Sequence, residues 1–450
     1  MTTSSLHARL FGDPAVDAAL SDEARLQAML DVEVALAEAE AQVGLVPADA
    51  LPAIRAAAKA ALYDHAVLAE EVAKAGNLAI PLVRLMTAEV AKQDKAAARF
   101  VHLGTTSQDI IDTGLVLQLR HAVPLVSAQL DRAAAAAADL ARRHAATLMA
   151  GRTWMQQAVP VTFGLKAAGW LDALRRVRAR LAADLDAACV LQFGGASGTL
   201  ASLGSDGLKV ADALGARLGL AVPDLPWHAH RDRLAALAAS LGIASGTLGK
   251  IARDLALLGQ TEVGEAYEAP AAGRGGSSTM PHKRNPISAS VALAAAARTP
   301  GLVATFLGAM SQEHERGLGG WQAEWETLPE LVRVTGGSAR SIADALSGLV
   351  VDSARMRANL DATGGRVLAE AVSAALAKSL GKARAHELIE AACKRVVADG
   401  HPLAEILKAD AEVSKHLNAG DIDCLLTPGN YLGASSAFVD RVLSKGTGNG

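Results

Sequence analysis

The chain has 450 residues, too many for one hydrophobic core, so we expect two or three domains. Hydrophobic residues make up 51% of the chain and aromatic residues only 3%, because alanine and leucine, which favour helices, dominate it. Its 44 basic and 47 acidic residues give a net charge of −3, which argues against binding to nucleic acid or to a membrane surface. Because alanine and leucine dominate the chain, we expect a mainly α protein.

The cysteine pattern and the hydropathy of the chain indicate a cytoplasmic location. Cys189, Cys393 and Cys424 are widely spaced and form no zinc or redox motif, which is typical of reduced, buried thiols. The N-terminal residues do not read as a signal peptide, and no uninterrupted run of about 18 apolar residues occurs. We expect no membrane span and no bound metal.

The first hundred residues predict helices of ordinary length. After Ser21 the apolar positions recur at helical spacing to about Val43, where Gly44 and Pro47 end the pattern. Further helices are predicted over 50–75 and 80–96.

The middle of the chain predicts much longer helices, over 113–148, 158–190 and 231–266. The last of these is apolar on most sides, and such a helix must be buried on most sides. In a chain of this size a bundle that packs against copies of itself provides that burial. We therefore expect an oligomer with the long helices at its centre.

Shorter helices return towards the C-terminus, over 363–380, 382–398 and 401–408. These changes in helix length divide the chain into three predicted domains. They are an N-terminal helical domain (1–111), a central bundle of long helices (112–350) and a small C-terminal helical domain (351–450).

Three segments are conspicuously polar in this apolar chain: HLGTTSQD (102–109), GRTWMQQAVP (151–160) and GSSTMPHKRNP (276–286). Each lies at the end of a predicted helix, where free backbone N–H groups bind anions. Together they supply hydroxyls, amides and cations without a matching cluster of carboxylates or Cys/His for a metal. This chemistry suits a small di- or tricarboxylate.

Structural interpretations compete with this one. Any single segment is more often a helix cap than a binding site. The spacing of a phosphate-binding P-loop is absent. His228 and His230 have no third ligand nearby in sequence, so we favour a structural role for them over a metal site.

The segment GSSTMPHKRNP closely resembles the signature loop of the fumarase/aspartase superfamily, and HLGTTSQDIIDT and GRTWMQQAVPVTFG resemble its other two active-site segments. The resemblance implies a three-domain, mainly α homotetramer with a central bundle of long helices. It also implies active sites built from loops of three subunits. Members catalyse reversible β-elimination from carboxylated substrates, and the resemblance implies no metal or organic cofactor.

The resemblance also assigns site residues. It makes Ser277 the catalytic serine, and it places Lys283 beside it, where both Lys283 and Asn285 bind a substrate carboxylate. A serine acts as a base only if donors and a nearby cation hold its alkoxide. The remaining substrate-binding positions are His102, Thr106, Ser107, Thr153, Trp154, Gln156, Ser278 and Arg316.

The signature loop is expected to act as a mobile lid. Gly273, Gly275 and Gly276 are expected to form the hinge that closes the signature loop over the substrate and excludes water. The catalytic serine would then travel with the lid.

The departures from the superfamily pattern narrow the choice of reaction that the enzyme catalyses. Most of its lyases have a histidine where this chain has Trp154, and that histidine pairs with a glutamate where this chain has Ser290. An elimination needs no general acid if its leaving group is a stable anion, and a carboxylate, with a pKa of about 4, is one. The opening of a lactone by elimination releases a carboxylate. The reverse reaction, the addition of a carboxylate to C=C, likewise needs no general acid at oxygen. Trp154 offers a flat apolar wall for a planar diene.

These features resemble the cycloisomerase branch of the superfamily, the 3-carboxy-cis,cis-muconate cycloisomerases. The resemblance implies that the enzyme makes 4-carboxymuconolactone in the protocatechuate branch of the β-ketoadipate pathway. In that direction Ser277 would give a proton to carbon.

Two other functions stay open. Adenylosuccinate lyase is the first alternative, although Asn77 replaces one of its histidines and Trp321, five residues after Arg316, replaces its phosphate-binding serine. A non-catalytic structural oligomer is the second alternative. It predicts that the signature loop has lost its catalytic residues, but Ser277 and Lys283 are in place.

Overall fold

The computed structural model describes residues 6–269, 275–276, 280 and 283–445, and the protein is mainly α-helical, as predicted. The N-terminal helices are α1 (Ala8–Phe11), α2 (Pro14–Ala19), α3 (Asp22–Val43), α4 (Leu51–Ala57), α5 (His65–Ala75) and α6 (Ala79–Gln93). The central helices are α7 (Ser107–Arg143), α8 (Phe163–Ala188), α9 (Gly207–Leu218), α10 (Asp232–Leu258), α11 (Ile287–Gly308) and α12 (Gly320–Ser347). The C-terminal helices are α13 (Ser353–Asp361), α14 (Ala369–Leu380), α15 (Lys382–Asp399), α16 (Leu403–Ala409), α17 (Ala419–Leu425) and α18 (Ser435–Ser444).

Short strands interrupt the helices in two places. One antiparallel pair is β1 (Leu148–Thr153) with β2 (Gln156–Thr162), and the other is β3 (Ala266–Tyr267) with β4 (Val350–Val351).

Helix α3 forms where the sequence predicted it. The hydroxyl of Ser21 accepts a hydrogen bond from the N–H of Ala24 at 3.2 Å, which caps the first turn. Gly44 ends the helix in the left-handed conformation with φ of 91°, and its N–H donates back to Ala41 and Glu40. The capping residues that predicted the start and the end of α3 therefore form the hydrogen bonds expected of them.

The predicted helix over 158–190 begins too early. Residues to Thr162 belong to β2, because Val159, Val161 and Thr162 are β-branched and extend the hairpin opposite β1. The hydroxyl of Thr162 then accepts from the N–H of Leu165 at 3.1 Å and caps α8. The helices predicted to reach 148 and 266 also end earlier, at Arg143 and Leu258.

The contacts divide the chain into two compact units, and the long helices contribute residues to both. The first unit comprises the chain up to Leu130, Arg176–Gly249 and Val291–Ser341. The second comprises Asp131–Arg175, Lys250–Ser290 and the chain from Ile342. The division into three domains stays a prediction.

Each unit has its own apolar core. The first contains a cluster from α3, α4 and α6 in which Leu30, Ile54 and Leu82 are almost fully buried. The second contains a cluster from α14 to α17 that includes Val372 and Leu403.

Helices α10 and α11 are long and apolar enough to cross a membrane by length and composition alone. The apolar stretch of α10 is 61% buried within the protein, as in the core helix of a soluble protein. The corresponding stretch of α11 is only 28% buried, so most of that helix still presents its surface outward.

Candidate active site

Asp109, a buried residue in the first turn of α7, organises the first polar segment. Its Oδ2 accepts hydrogen bonds from the N–H of Thr106 at 3.1 Å, the hydroxyl of Thr105 at 3.1 Å and the N–H of Gly195 at 2.9 Å. These bonds fix the turn that carries Thr106 and Ser107 to a second loop. Sequence reasoning did not single out Asp109.

His228 lies against the same carboxylate. It is almost fully buried, and its Nε2 lies 2.6 Å from Oδ1 of Asp109. His228 therefore packs inside the protein against the carboxylate that fixes the Thr106 turn.

Arg316 contacts Thr106 in the first unit. Its Nη1 donates to the hydroxyl of Thr106 at 3.1 Å, and its Nη2 donates to the carbonyl of Ala196 at 3.0 Å. Its Nε is buried without an acceptor among the residues that the structure describes. Arg316 therefore positions Thr106 and adds positive charge beside it.

His102, the remaining predicted residue of this segment, contacts a residue that sequence analysis missed. Its Nδ1 lies 2.6 Å from Oε1 of Glu33, which α3 carries and which is almost fully buried. Burial opposes the charged ring, but the hydrogen bond and charge of Glu33 and the charge of Asp109 outweigh it and raise the pKa of His102. The imidazolium form is thereby favoured.

A buried ion network surrounds Trp321, the residue that replaces the phosphate-binding serine of adenylosuccinate lyase in the sequence. Arg231 donates to Asp112 at 2.7 and 3.1 Å and to Glu324 at 2.6 Å, and Trp321 Nε1 donates to Asp112 Oδ1 at 3.0 Å. Burial raises the pKa of Glu324 even though Arg231 lowers it. Two carboxylates face one guanidinium here, so a phosphate dianion would meet repulsion.

The second polar segment is a β-hairpin, not the end of a helix. Thr153 and Gln156 face each other across the strands, and Trp154 and Met155 form the two-residue turn. Both turn residues have positive φ, 52° and 64°, a conformation that usually selects Asn-Gly. Their exposed fractions are 96% and 75%, so two large apolar side chains stand at the tip.

The hairpin is anchored in the second unit by a buried ion pair. Arg152 donates to both oxygens of Glu265 at 2.8 and 2.6 Å, and Glu265 is fully buried. Asn359 donates to the same carboxylate at 2.8 Å. Arg152, which we expected as a cation of the anion site because it lies in the second polar segment, is thus neutralised by a protein carboxylate.

The signature loop is described only in part. Ser277, Ser278 and His282, together with hinge residue Gly273, lie outside the described residues. Lys283 is exposed and Asn285 is partly buried.

The described part of the loop shows why it needs glycine. The N–H of Asn285 donates to the carbonyl of Gly275 at 2.9 Å, and Gly275 has a φ of 72°. A Cβ at Gly275 would lie 2.7 Å from the carbonyl oxygen of Asn285, which only glycine avoids. This supports glycine at one of the three predicted hinge positions.

The N-terminus of α11, which follows the loop, is already occupied. The carboxylate of Glu268 accepts from the N–H groups of Ser288 at 3.0 Å and Ala289 at 2.9 Å. The prediction that these N–H groups await a substrate anion is therefore wrong in this conformation, because a protein carboxylate takes that place.

The predicted residues thus form two described sets. His102, Thr106, Ser107 and Arg316 belong to the first unit, whereas Thr153, Trp154, Gln156, Lys283 and Asn285 belong to the second. Their union in one pocket stays a prediction. Among the described residues, no group of three or more His, Cys, Asp or Glu side chains is arranged to hold a metal ion.

Comparison with known families shows the family to which the chain belongs. The lyase family profile matches residues 12–301, and the profile named for the C-terminus of adenylosuccinate lyase matches residues 365–442. The chain belongs to the lyase family. The family predicted from the three motifs is thereby confirmed.

The lyase family includes relatives that match nearly the whole chain. The 3-carboxy-cis,cis-muconate cycloisomerase of Pseudomonas aeruginosa is 55% identical over 95% of this chain and 93% of its own length. The nitrosuccinate lyase of Streptomyces davaonensis is 46% identical over 95% of this chain and 92% of its own length. The crystal structure of the 3-carboxy-cis,cis-muconate lactonizing enzyme from Pseudomonas putida is 50% identical, covers 98% of both chains and superposes with a TM-score of 0.93.

Proposed function

We propose that this lyase-family enzyme is a 3-carboxy-cis,cis-muconate cycloisomerase, which forms 4-carboxymuconolactone. The observation that carries the proposal is the tip of the hairpin, where Trp154 stands in place of the usual general acid. Ser290, in place of the partner glutamate, donates its hydroxyl hydrogen bond to the carbonyl of Ile287 within the first turn of α11. The high identity to relatives of that name supports the same reaction.

The chemistry needs no acid at oxygen. One carboxylate of the substrate adds to a C=C bond at the carbon β to a second carboxylate, and a C–O bond forms. The electron pair moves to the α carbon, where an enolate-like anion develops and then takes one proton. The attacking oxygen is already ionised at neutral pH, and no atom changes oxidation state through an outside reagent. We therefore propose that no cofactor takes part.

The residues of the site act on the developing anion. Fixed donors aimed at the place where charge accumulates stabilise it most strongly in a site that excludes water. The hydroxyl of Thr106 accepts from Arg316 and the N–H of Thr106 donates to Asp109, so the donor that Thr106 offers in the first unit is its hydroxyl proton. Lys283 and Asn285 supply further donors, and Ser277 delivers the proton to carbon.

The buried network around Trp321 argues against adenylosuccinate as the substrate. The indole fills the position of the phosphate-binding serine and donates to Asp112, whose carboxylate also binds Arg231. No cation of that network is left for a nucleotide phosphate. Elimination from nitrosuccinate is the second candidate, because a relative of that name covers most of this chain.

We further propose that the enzyme is a cytoplasmic homotetramer with shared active sites. The exposed apolar surface of α11 and the exposed tip residues Trp154 and Met155 both need cover that one subunit does not supply. Neighbouring copies would bury α11 in a central bundle and receive the hairpin tip in their active sites.

A direct assay tests the reaction. Purified enzyme is mixed with 3-carboxy-cis,cis-muconate, the absorbance of the diene is followed, and the product is identified by mass spectrometry. We expect the diene absorbance to fall with formation of the lactone. Parallel reactions with adenylosuccinate and nitrosuccinate are assayed for fumarate. An unchanged diene spectrum together with fumarate release from either of them would overturn the proposal.

A further inference from the structure

Glu33 is a buried charge that the fold itself does not use. It lies on α3 beside the apolar side chains of Met29, Leu30 and Leu36, and only 2% of its surface is exposed. Burying a carboxylate is costly unless a partner compensates it. Among the described residues, Oε1 of Glu33 has one partner, the ring of His102, and Oε2 has none.

The geometry of His102 indicates a ligand-binding role. Its φ of 61° is uncommon for a residue with a Cβ, and residues in such conformations cluster at active sites and ligand-binding positions. Its side chain is 20% exposed. Because Nδ1 contacts Glu33 at 2.6 Å, Nε2 is the ring nitrogen left for a ligand.

The surrounding charges favour a protonated ring. Glu33 on α3 and Asp109 on α7 are the anions that act on His102, and both oppose the effect of burial. Glu40, one helical heptad beyond Glu33, adds no second negative charge at neutral pH, because burial and the charge of Glu33 raise its pKa to about 9. Arg316, the cation beside Thr106, is bonded to that hydroxyl and to backbone carbonyls.

We propose that Glu33 is a positioning residue that holds His102 as an imidazolium, with Nε2–H presented to a carboxylate of the substrate. His102 then binds substrate charge and does not act as a base. The inference rests on the proposed tricarboxylate substrate, and it names a residue of α3, outside all three polar segments, as part of the binding machinery.

The charge of His102 is measurable without any turnover. The twelve histidines are labelled with carbon-13 at Cε1, and the His102 signal is assigned by its loss in His102→Asn, since Asn tolerates positive φ. In the wild-type enzyme we expect His102 to stay protonated at a pH where added N-acetylhistidine is neutral. Tricarballylate, a saturated tricarboxylate, should move the titration of His102 further upward, because anion binding and protonation are linked.

Glu33→Gln separates the charge from the contact, because the amide oxygen still accepts a hydrogen bond from Nδ1–H. We expect its His102 to titrate at lower pH than in the wild type. We also expect KM for 3-carboxymuconate to rise about 10-fold or more at neutral pH, the size of a hydrogen bond to a charged group, with a smaller change in kcat. Glu40→Gln is the matched control on the same helix and should leave both values unchanged.

A His102 that titrates with N-acetylhistidine in the wild-type enzyme, once the folded His102→Asn variant has assigned its signal, would overturn the proposal. An unchanged His102 titration or an unchanged KM in Glu33→Gln would overturn it as well. If His102 behaves as expected but no lactone forms, the imidazolium assignment stands and the proposed reaction fails, so the two failures are distinct.

Discussion

Arg152 and Glu265 form a bidentate ion pair at the base of the β1–β2 hairpin, with N–O distances of 2.8 and 2.6 Å. Glu265 is fully buried, and Asn359 supplies its other hydrogen bond. The pair therefore joins the strand that leads to Trp154 to the segment that ends at the signature loop. It is the main electrostatic anchor of the hairpin within the second unit.

We expect Arg152→Ala to destabilise the protein by about 3–5 kcal/mol, because it leaves a buried carboxylate without its cation. The measurement is the thermal midpoint at fixed protein concentration. Arg143→Ala, which breaks an exposed pair with Asp139, is the control and should cost less than about 1 kcal/mol. Equal shifts for the two variants would contradict the importance of the Arg152 pair.

The pH dependence of stability reports on Glu40. Burial and the charge of Glu33 raise its pKa from 4.5 to about 9, so between these values the folded protein holds a proton that the unfolded chain releases. Glu40 therefore makes the protein less stable as pH rises, by up to about 1.4 kcal/mol per pH unit. Glu40→Gln should remove this slope, so the variant gains stability over the wild type between about pH 6 and pH 8. Parallel midpoint curves for the two proteins would show that Glu40 is not the source; Glu23→Gln, an exposed change on the same helix, serves as control.

A double variant at the tip of the hairpin distinguishes the effect of local backbone strain from the effect of the tip on assembly. Replacing Trp154 with Asn and Met155 with Gly relieves two positive φ angles, each worth about 1–3 kcal/mol, but removes the exposed apolar surface. We expect weaker assembly by analytical ultracentrifugation and a large loss of kcat/KM. Val397→Ser, which removes an exposed apolar side chain from α15, should change neither. A double variant that assembles and turns over like the wild type would remove the tip from the shared active site.

The sequence predicted the parts of the fold that local signals determine. Ser21 and Gly44 mark the ends of α3 because capping depends on neighbouring residues. The hairpin was missed because Trp-Met is an unusual pair for a two-residue turn, and the strand residues of β2 were read as the start of a helix. Periodicity alone does not separate these alternatives over a few residues.

The site was predictable where side chains lie in recognisable segments and not where partners are distant in sequence. Thr106 and Arg316, which both resemble superfamily site residues, lie in contact although they are 210 positions apart in the sequence. Glu33 and Glu265 were missed, because nothing local tells a buried acid from a solvated one. Glu33 and Glu40 lie seven residues apart among the buried residues of α3, and it is the fold that shows both to be buried.

Ser277→Ala tests the proton donor on the lid. We expect turnover to fall by about 10²-fold or more while assembly is unchanged, because the hydroxyl serves the reaction and not a core. Ser290→Ala is the control, since among the residues that the structure describes its exposed hydroxyl bonds only the carbonyl of Ile287. Turnover like that of the wild type in Ser277→Ala would assign proton delivery to another group.

The central claim, that a carboxylate adds to C=C while carbon takes a proton, is tested most directly by running the reaction in D₂O and analysing the product by NMR. We expect a lactone that carries a single deuteron, at the carbon next to a carboxylate, with one solvent hydron consumed per turnover. A product without a lactone carbonyl, or a lactone without that deuteron, would contradict the mechanism.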